Sequence, residues 1–377
     1  MIDYWPFSNV ILASCCIELG QDRTRVRPIS RRLPMDRPSG FDVSVIVPVH
    51  IPGQAFVKCL ESLNLLNPAA AEVIVVADGT EEAVELAESA GFKSVLIPTA
   101  GGPARARNAG GRLAKHDILF FLDADVMVES DAISRLAESF RSDPGLTAVI
   151  GSYDDLPGDP SFLSQYRNLF HHFIHQEAEE KASTFWGACG AIRREDFLAV
   201  GGFDESYTHP SVEDIELGYR LTHGGYAIRL DRSLQVKHNK HWSPWNMVKT
   251  DFIRRALPWT LLMLRHKHFV SDLNLRLRHR LSVICVFVLV ATVVTTAIEI
   301  RSLAITLAAI VALLTLNLET YAFFMKKRGT WFTLRVLPWH WLYYFYGGLA
   351  FAIGIFWHVT LGRFLNVEPV KPAHEGP

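Results

Sequence analysis

Cysteine is scarce. There are 5 in 377 residues, and Cys15, Cys16, Cys59, Cys189 and Cys285 show no metal-ligand spacing. That excludes a disulfide framework and suits reduced thiols in a cytoplasmic domain. Net charge is nearly absent too, since 38 Lys and Arg against 39 Asp and Glu leave −1. The chain therefore lacks the overall basic footprint of a nucleic-acid binder, and nucleic acid is not expected as a partner. The 25 glycines follow no period, which excludes a collagen-like chain. Neither GxGxxG nor GxxxxGKS/T occurs, so neither a dinucleotide fingerprint nor a P-loop is supported. No secretory signal is expected at the start: Val10–Ile17 is apolar but short, and it follows Asp3 rather than a basic segment. Apolar residues, by contrast, are abundant at 49%, which excludes whole-chain disorder. The length suits two or three domains.

The apolar excess sits late in the chain. No Asp, Glu, Lys or Arg interrupts residues 281–298, a run long enough to cross a hydrocarbon core as a helix. A second uncharged run, 302–318, continues to Met325, and a third, Val336–Gly362, is rich in Trp, Tyr and Phe. Three such runs in succession predict three membrane-spanning helices, the first two forming a tight hairpin across Glu299–Arg301. Basic residues flank one side: Arg265, Lys267, Arg276, Arg278 and Arg280 precede the first run, and Lys326, Lys327, Arg328 and Arg335 follow the second. By the positive-inside rule that side is the cytoplasm, giving a multi-pass cell-membrane protein with residues 1–280 cytoplasmic. Trp339, Trp341, Tyr343, Tyr344 and Tyr346 read as an interfacial aromatic belt. The Arg-rich stretch 21–40 reads either as a lipid-binding linker or as a solvated extension.

Between these ends, strand and helix patterns alternate. Strands are predicted at Val43–Pro48, Glu72–Ala77, Lys93–Ile97 and Asp117–Leu122, and helices at Gln54–Leu65, Glu81–Ala90 and Ala104–Lys115. This predicts an open α/β sheet with helices on both faces and ligands at the strand carboxyl ends. Those ends present Pro48-Val49-His50, then Asp78-Gly79-Thr80, then Asp123-Ala124-Asp125. Asp78 alone reads first as a turn or N-cap residue, and second as a contact to a base or ribose. The Asp123–Asp125 triplet leaves the wholly apolar ILFFL, so both carboxylates enter one cleft. Such hard oxygen ligands suit Mg2+ or Mn2+ with a substrate diphosphate completing the shell. Farther on, Trp186-Gly187-Ala188-Cys189-Gly190 is a small-residue patch with one large ring. Glu213 and Asp214 open a helix predicted to start near Ser211, where they serve either as capping charges or as a general base. His238, after a predicted strand Ile228–Val236, reads as a surface histidine or a metal ligand.

Taken in order, VSVIVPVH, VVADGT, ARARNAG, DILFFLDADV, WGACGAIRREDFLAVGGFDE, VEDIELGYRLTHGGY and VKH resemble the family 2 inverting glycosyltransferases. The resemblance covers about Phe41 to His241 and implies the GT-A fold, a Rossmann-like mixed sheet with helices on both faces, followed here by a C-terminal transmembrane helical region. It implies transfer of a sugar from a nucleotide-diphospho-sugar to a hydroxyl acceptor, with inversion and divalent-metal assistance. Carried over residue by residue, Pro48 and His50 would border the nucleotide, Asp78 would contact the base, and Arg107 would help hold the nucleotide. Asp123 would lie near the ribose, and Asp125, with His238, would bind Mg2+ or Mn2+. Asp214 would be the catalytic base, while Trp186, Gly187 and Glu213 would line the acceptor side. The chain departs from the family at Ala77-Asp78, where two acids are frequent. It also lacks the Gln-x-x-Arg-Trp signature of processive synthases, carrying Asp251-Phe252-Ile253-Arg254-Arg255 at about that distance. That resembles single-sugar transfer, with a processive polysaccharide synthase and a non-catalytic nucleotide-sugar-binding membrane protein as alternatives. The expected layout is an N-terminal extension (1–40), a glycosyltransferase domain (41–241), interfacial or connector helices (242–280), a three-helix membrane region (281–361) and a tail (362–377). Membrane anchoring implies a lipid-linked or other membrane-associated acceptor, because confinement raises effective concentration.

Overall fold

The computed structural model describes residues 41–266, 276–296 and 298–360. The expected N-terminal extension and tail lie outside the described residues. From Val43 the chain alternates β1 (Val43–Val49), α1 (Gln54–Asn64), β2 (Glu72–Asp78), α2 (Glu81–Ser89), β3 (Lys93–Ile97), α3 (Pro103–Leu113) and β4 (Ile118–Leu122). It continues with β5 (Val126–Val128), α4 (Ala132–Ser142), β6 (Leu146–Tyr153), α5 (Phe162–Glu177), β7 (Lys181–Ala182) and β8 (Cys189–Arg193). Then come α6 (Arg194–Ala199), α7 (Glu213–His223) and the long β9 (Ala227–His238). These strands form one sheet in the order β3-β2-β1-β4-β8-β6-β9-β5, with β7 beside β9. The half from β3 to β4 is parallel, β8 is antiparallel to both β4 and β6, and β9 runs parallel to β6.

The central strands are buried on both faces, which is why they read as continuous apolar runs. Side chains still alternate. Val45, Val47, Phe120 and Leu122 enter one core with Phe56, Leu60 and Phe140, whereas Ile46, Leu119 and Phe121 enter the other with Phe197 and Leu217. Helix α3 lies very close to the sheet at Gly110, where a β-carbon would stand 2.4 Å from Ile46 Cγ2. That approach draws the preceding turn, with Arg107 and Asn108, into the sheet edge.

After β9 the chain forms α8 (Pro244–Lys249), a π-helical turn (Thr250–Ala256) and α9 (Leu257–His266), then α10 (Leu277–Thr296), α11 (Leu303–Leu316) and α12 (Leu318–Thr360). Two of these, α10 and α12, are long and apolar enough to cross a membrane. The expected second and third runs are divided differently from the sequence reading. Helix α11 stops at Leu316, and α12 takes up the rest of both runs, bent at Gly329 (φ 80°). The aromatic belt is also corrected. Tyr344 and Tyr346 are buried, and Trp339 and Tyr343 pack in a cluster with Tyr166, Phe170 and Phe173 of α5. These rings form the joint between the sheet domain and the C-terminal helices.

A buried ion pair locks that joint. Arg167 of α5 donates to Asp251 Oδ1 (2.8 Å), and the Tyr346 hydroxyl of α12 donates to Oδ2 of the same carboxylate (2.7 Å). Both charged side chains are nearly inaccessible, at 9% and 4%. Removing one member of such a pair strands a buried charge. The Asp251→Ala substitution is expected to lower stability by about 3–5 kcal/mol, whereas replacing both partners by apolar residues recovers most of it. Chemical unfolding of the full chain in detergent, followed by tryptophan fluorescence, measures both.

Candidate active site

Strands β1, β2 and β4 are parallel, so their carboxyl ends open on one edge, and the sequence-predicted residues gather there. His50 Nδ1 pairs with the Asp78 carbonyl (2.7 Å), tying the ends of β1 and β2 together, and Pro48 lies just before it. Asp78 is only 3% exposed. Its carboxylate accepts the N–H groups of Gly101 (2.8 Å) and Gly102 (2.9 Å). Gly102 has φ 91°, and a β-carbon there would meet the Thr208 carbonyl oxygen at 2.4 Å, so only glycine fits. In this structure Asp78 pins the loop into α3.

The centre of the edge is Arg107. Its buried guanidinium donates to Asp123 Oδ1 (2.7 Å) and to Glu213 Oε1 (2.9 Å). Burial alone would lower its pKa, but the charges of Asp123, Glu213 and Asp214 hold it above the ordinary arginine value. The other oxygen of Glu213 accepts the Ser211 N–H (2.8 Å), and the residue is 4% exposed. Both oxygens of Glu213 are thus engaged inside the protein. Arg107 likewise acts as the bracket between β4 and α7.

Asp214, next in the chain, is half-buried. Its Oδ2 accepts the Gly187 N–H (3.1 Å) and its Oδ1 the Ile215 N–H (2.8 Å). Gly187 rests on Arg107, since a β-carbon would stand 2.7 Å from the guanidinium carbon. The neighbouring Ala188 carbonyl accepts the Asp123 N–H (3.4 Å). Asp214 and Asp123 therefore flank one short backbone stretch on the same edge. Burial first, and then the charge of Glu213, push the Asp214 carboxyl up to about 6 against the opposing pull of Arg107. One cation cannot neutralise three carboxylates.

The second cluster lies at the ends of β4 and β9. Asp125 Oδ2 is 3.4 Å from His238 Nε2 and 4.0 Å from Lys240 Nζ. Burial would raise the Asp125 pKa, but His238 and then Lys240 hold it well below the usual carboxylate range. His238 Nδ1 faces Asn168 Oδ1 (2.7 Å), an oxygen that only accepts, so Nδ1 carries the proton. As an imidazolium the ring pairs with Asp125 through Nε2; as a neutral imidazole its Nε2 lone pair and the carboxylate would face one gap. Two facing acceptors fit a divalent cation, with anionic oxygens of a bound substrate completing the shell. Among the described residues no group of three or more His, Cys, Asp or Glu side chains is placed to hold a metal ion.

Trp186 packs edge-on against Tyr153 (4.9 Å between ring centres), beside His171 (5.1 Å) of α5. Tyr153 in turn stacks on His238 at 4.4 Å and 6°. Sequence reasoning missed Tyr153, Asn168 and His171. The run LTAVIGSY, an apolar strand ending in Tyr, and the HHFIH pattern of α5 were the available signals. Burial, and then the neighbouring His175, hold the His171 pKa well below the ordinary histidine value.

A half-parallel mixed sheet with an acidic triplet at its central strand end, and a Glu-Asp pair opposite, defines a GT-A type domain carrying long apolar helices. Residues 44–201 match Glycosyl transferase family 2, and residues 167–242 match the N-terminal domain of galactosyltransferase. The pre-mycofactocin glycosyltransferase of Mycobacterium tuberculosis (strain CDC 1551 / Oshkosh) is 29% identical over 216 residues, 55% of this chain and 44% of that protein. The poly-beta-1,6-N-acetyl-D-glucosamine synthase of Staphylococcus aureus (strain COL) is 26% identical over 171 residues, 42% of this chain and 40% of that protein. The matched region thus spans under half the length of these relatives. The mannosyltransferase PcManGT from Pyrobaculum calidifontis, solved with GDP-Man and Mn2+, superposes over 92% of this chain and 95% of its own. Its TM-score is 0.51 at 17% identity, a likeness of fold. It is the sheet domain, over residues 44–201, that carries the similarity to glycosyl transferase family 2.

The strained carboxyl has a thermodynamic signature. Because the folded state holds the Asp214 proton more tightly than the unfolded chain does, ionising it destabilises the fold as pH rises from about 4 to 6. The Asp214→Asn variant should therefore gain stability relative to wild type between pH 4 and pH 7, by roughly 1–3 kcal/mol. Unfolding curves of both proteins across that range check it; a constant difference contradicts it.

Proposed function

We propose that this chain transfers a sugar from a nucleotide-diphospho-sugar to a hydroxyl of a lipid-linked acceptor, one sugar at a time and with inversion. The observation that carries this reading is the Asp214 carboxylate, raised towards neutrality and set across the Gly187-Ala188 stretch from Asp123. The donor's nucleotide lies along the strand ends, bordered by Pro48 and His50, with Asp123 held by Arg107 in position for the ribose. Asp125 and His238 would hold Mg2+ or Mn2+ at the diphosphate. When bound, that cation supplies positive charge to a leaving group that becomes more anionic as the reaction proceeds. The PcManGT complex with GDP-Man and Mn2+ supports this choice of donor class and cofactor.

Asp214 then takes the proton of the acceptor hydroxyl as its oxygen attacks the anomeric carbon from the side opposite the diphosphate. A base with pKa about 6 is ionised at neutral pH yet still a competent proton acceptor. Trp186, half-buried and next to Gly187, is the ring beside this point that suits a sugar or acceptor, with the buried Tyr153 packed behind it. Inversion follows from in-line attack with no covalent intermediate. Single transfer is favoured over polymer synthesis because the position of the processive signature holds Asp251, committed to the buried joint. A lipid-linked acceptor is favoured by the long apolar helices packed directly on α5.

Asp214→Asn is expected to keep donor binding and to lose turnover by about 10²–10⁴-fold. Wild-type activity is expected to rise as pH passes about 6, the pKa of the Asp214 carboxyl. Wild-type turnover in the purified Asp214→Asn variant would exclude the base assignment. Asp125→Ala is expected to abolish Mn2+- or Mg2+-stimulated release of nucleoside diphosphate. Membranes containing the protein, given radiolabelled nucleotide-sugar, are expected to carry label into an organic-solvent extract; label confined to long water-soluble polymer would favour the processive synthase.

A further inference from the structure

A second site lies where α5 meets the bend of α12. There Pro160, Phe162, Gln165, Arg328, Phe332 and Arg335 line an open groove of about 380 Å³. Two guanidinium groups reach it, and none of the six lining residues is acidic. Arg328 is held in place by neutral acceptors: Nε and Nη2 donate to Gln165 Oε1 (3.1 and 2.8 Å), and Nη2 also approaches the Asp155 carbonyl (3.3 Å). Arg335 lies 4.0 Å over the Phe162 ring, and among the described residues it has no carboxylate partner. Two acids stand nearby and both are engaged elsewhere, Asp155 by Lys327 and Asp159 by Ser161 and His241. The groove thus presents two positive charges beside the rings of Phe162 and Phe332, with no acid in its lining.

Its setting selects the occupant. Arg328 immediately precedes Gly329, where φ of 80° bends α12. Just past the bend, Trp331 (73%) and Leu334 (52%) are large apolar side chains left exposed beside the two arginines. Cationic groups interleaved with exposed apolar side chains match the chemistry of a lipid leaflet's interface, where phosphate borders hydrocarbon. Gln165, which steadies Arg328, stands three residues before Asn168, which steadies His238. The groove and the active-site edge therefore share one face of α5, about one helical turn apart.

We propose that this groove is a docking site for the phosphate of an anionic lipid, which seats the catalytic domain on the membrane surface. It is independent of the sugar-transfer reading, because it is measured as binding with no sugar present. The full-length chain, purified in detergent, is titrated with dihexanoyl phosphatidic acid, with dihexanoyl phosphatidylcholine and with inorganic phosphate, and its thermal unfolding midpoint is followed. Dihexanoyl phosphatidic acid is expected to raise the midpoint well beyond the other two. Its apparent affinity is expected to fall about fivefold in Arg335→Gln and again in Arg328→Gln/Arg335→Gln, since each arginine contributes one screened interfacial charge. Arg335→Lys should retain most of the affinity. Arg335 is exposed and contacts only a ring face, so Arg335→Gln tests the site even if the double variant folds poorly. An unchanged affinity in Arg335→Gln overturns the proposal. So does an equal response to phosphatidylcholine, which would mark general lipid solvation, or to inorganic phosphate, which would mark a site for free anions.

Discussion

One buried guanidinium organises the functional edge. Arg107 is drawn inward by the close approach of α3 to the sheet at Gly110, and there it meets carboxylates from two elements distant in sequence, Asp123 and Glu213. A desolvated charge is tolerated only when paired and hydrogen-bonded, so this contact sets the spacing between β4 and α7. It also explains the chemistry of its neighbour. Burial, and then the charge of Glu213, push the Asp214 carboxyl up to about 6, and Arg107, already shared with Asp123 and Glu213, offsets this only in part.

The same logic recurs at the joint with the apolar helices. Asp251 receives Arg167 from the sheet domain and Tyr346 from α12, so neither side can move without exposing or stranding a charge. The Ser211 hydroxyl donates to the Arg254 carbonyl (2.9 Å), while its N–H donates to Glu213. A continuous chain of polar contacts thus runs from α12 through the π-helical turn to Glu213 and Arg107. The membrane-facing part and the donor edge are held in one mechanical frame rather than linked by a flexible tether.

Most of the parallel half of the sheet was legible in the residue pattern. Strand β3 has the predicted bounds Lys93–Ile97, and β1, β2 and β4 differ from expectation by one residue at an end. These strands are short β-branched or apolar runs punctuated by Gly, Pro and Asp, the clearest signal a sequence carries. The antiparallel half was harder. Helix α5 buries rings towards both the sheet and α12, so its apolar positions surround it and the amphipathic period is lost. Its residues Asn168 and His171 accordingly went unrecognised. The aromatic positions on α12 were visible as a group, but whether they faced lipid or protein depended on where α5 lay.

Local chemistry and order along the chain were determined by the sequence itself: which strands form, which carboxylates stand at their ends, and which helices are apolar enough for a bilayer. These follow from backbone preference and side-chain polarity over a few residues at a time. Tertiary structure alone decided how the charges pair. Asp78 turns inward to a glycine loop, Glu213 is buried against Arg107, and Asp214 keeps its carboxylate half-open to the cleft. Two adjacent acids at 213 and 214 look alike in a sequence. They differ because one points at a desolvated cation and the other at a backbone N–H, a distinction of direction that exists only once α3, β4 and α7 have packed together.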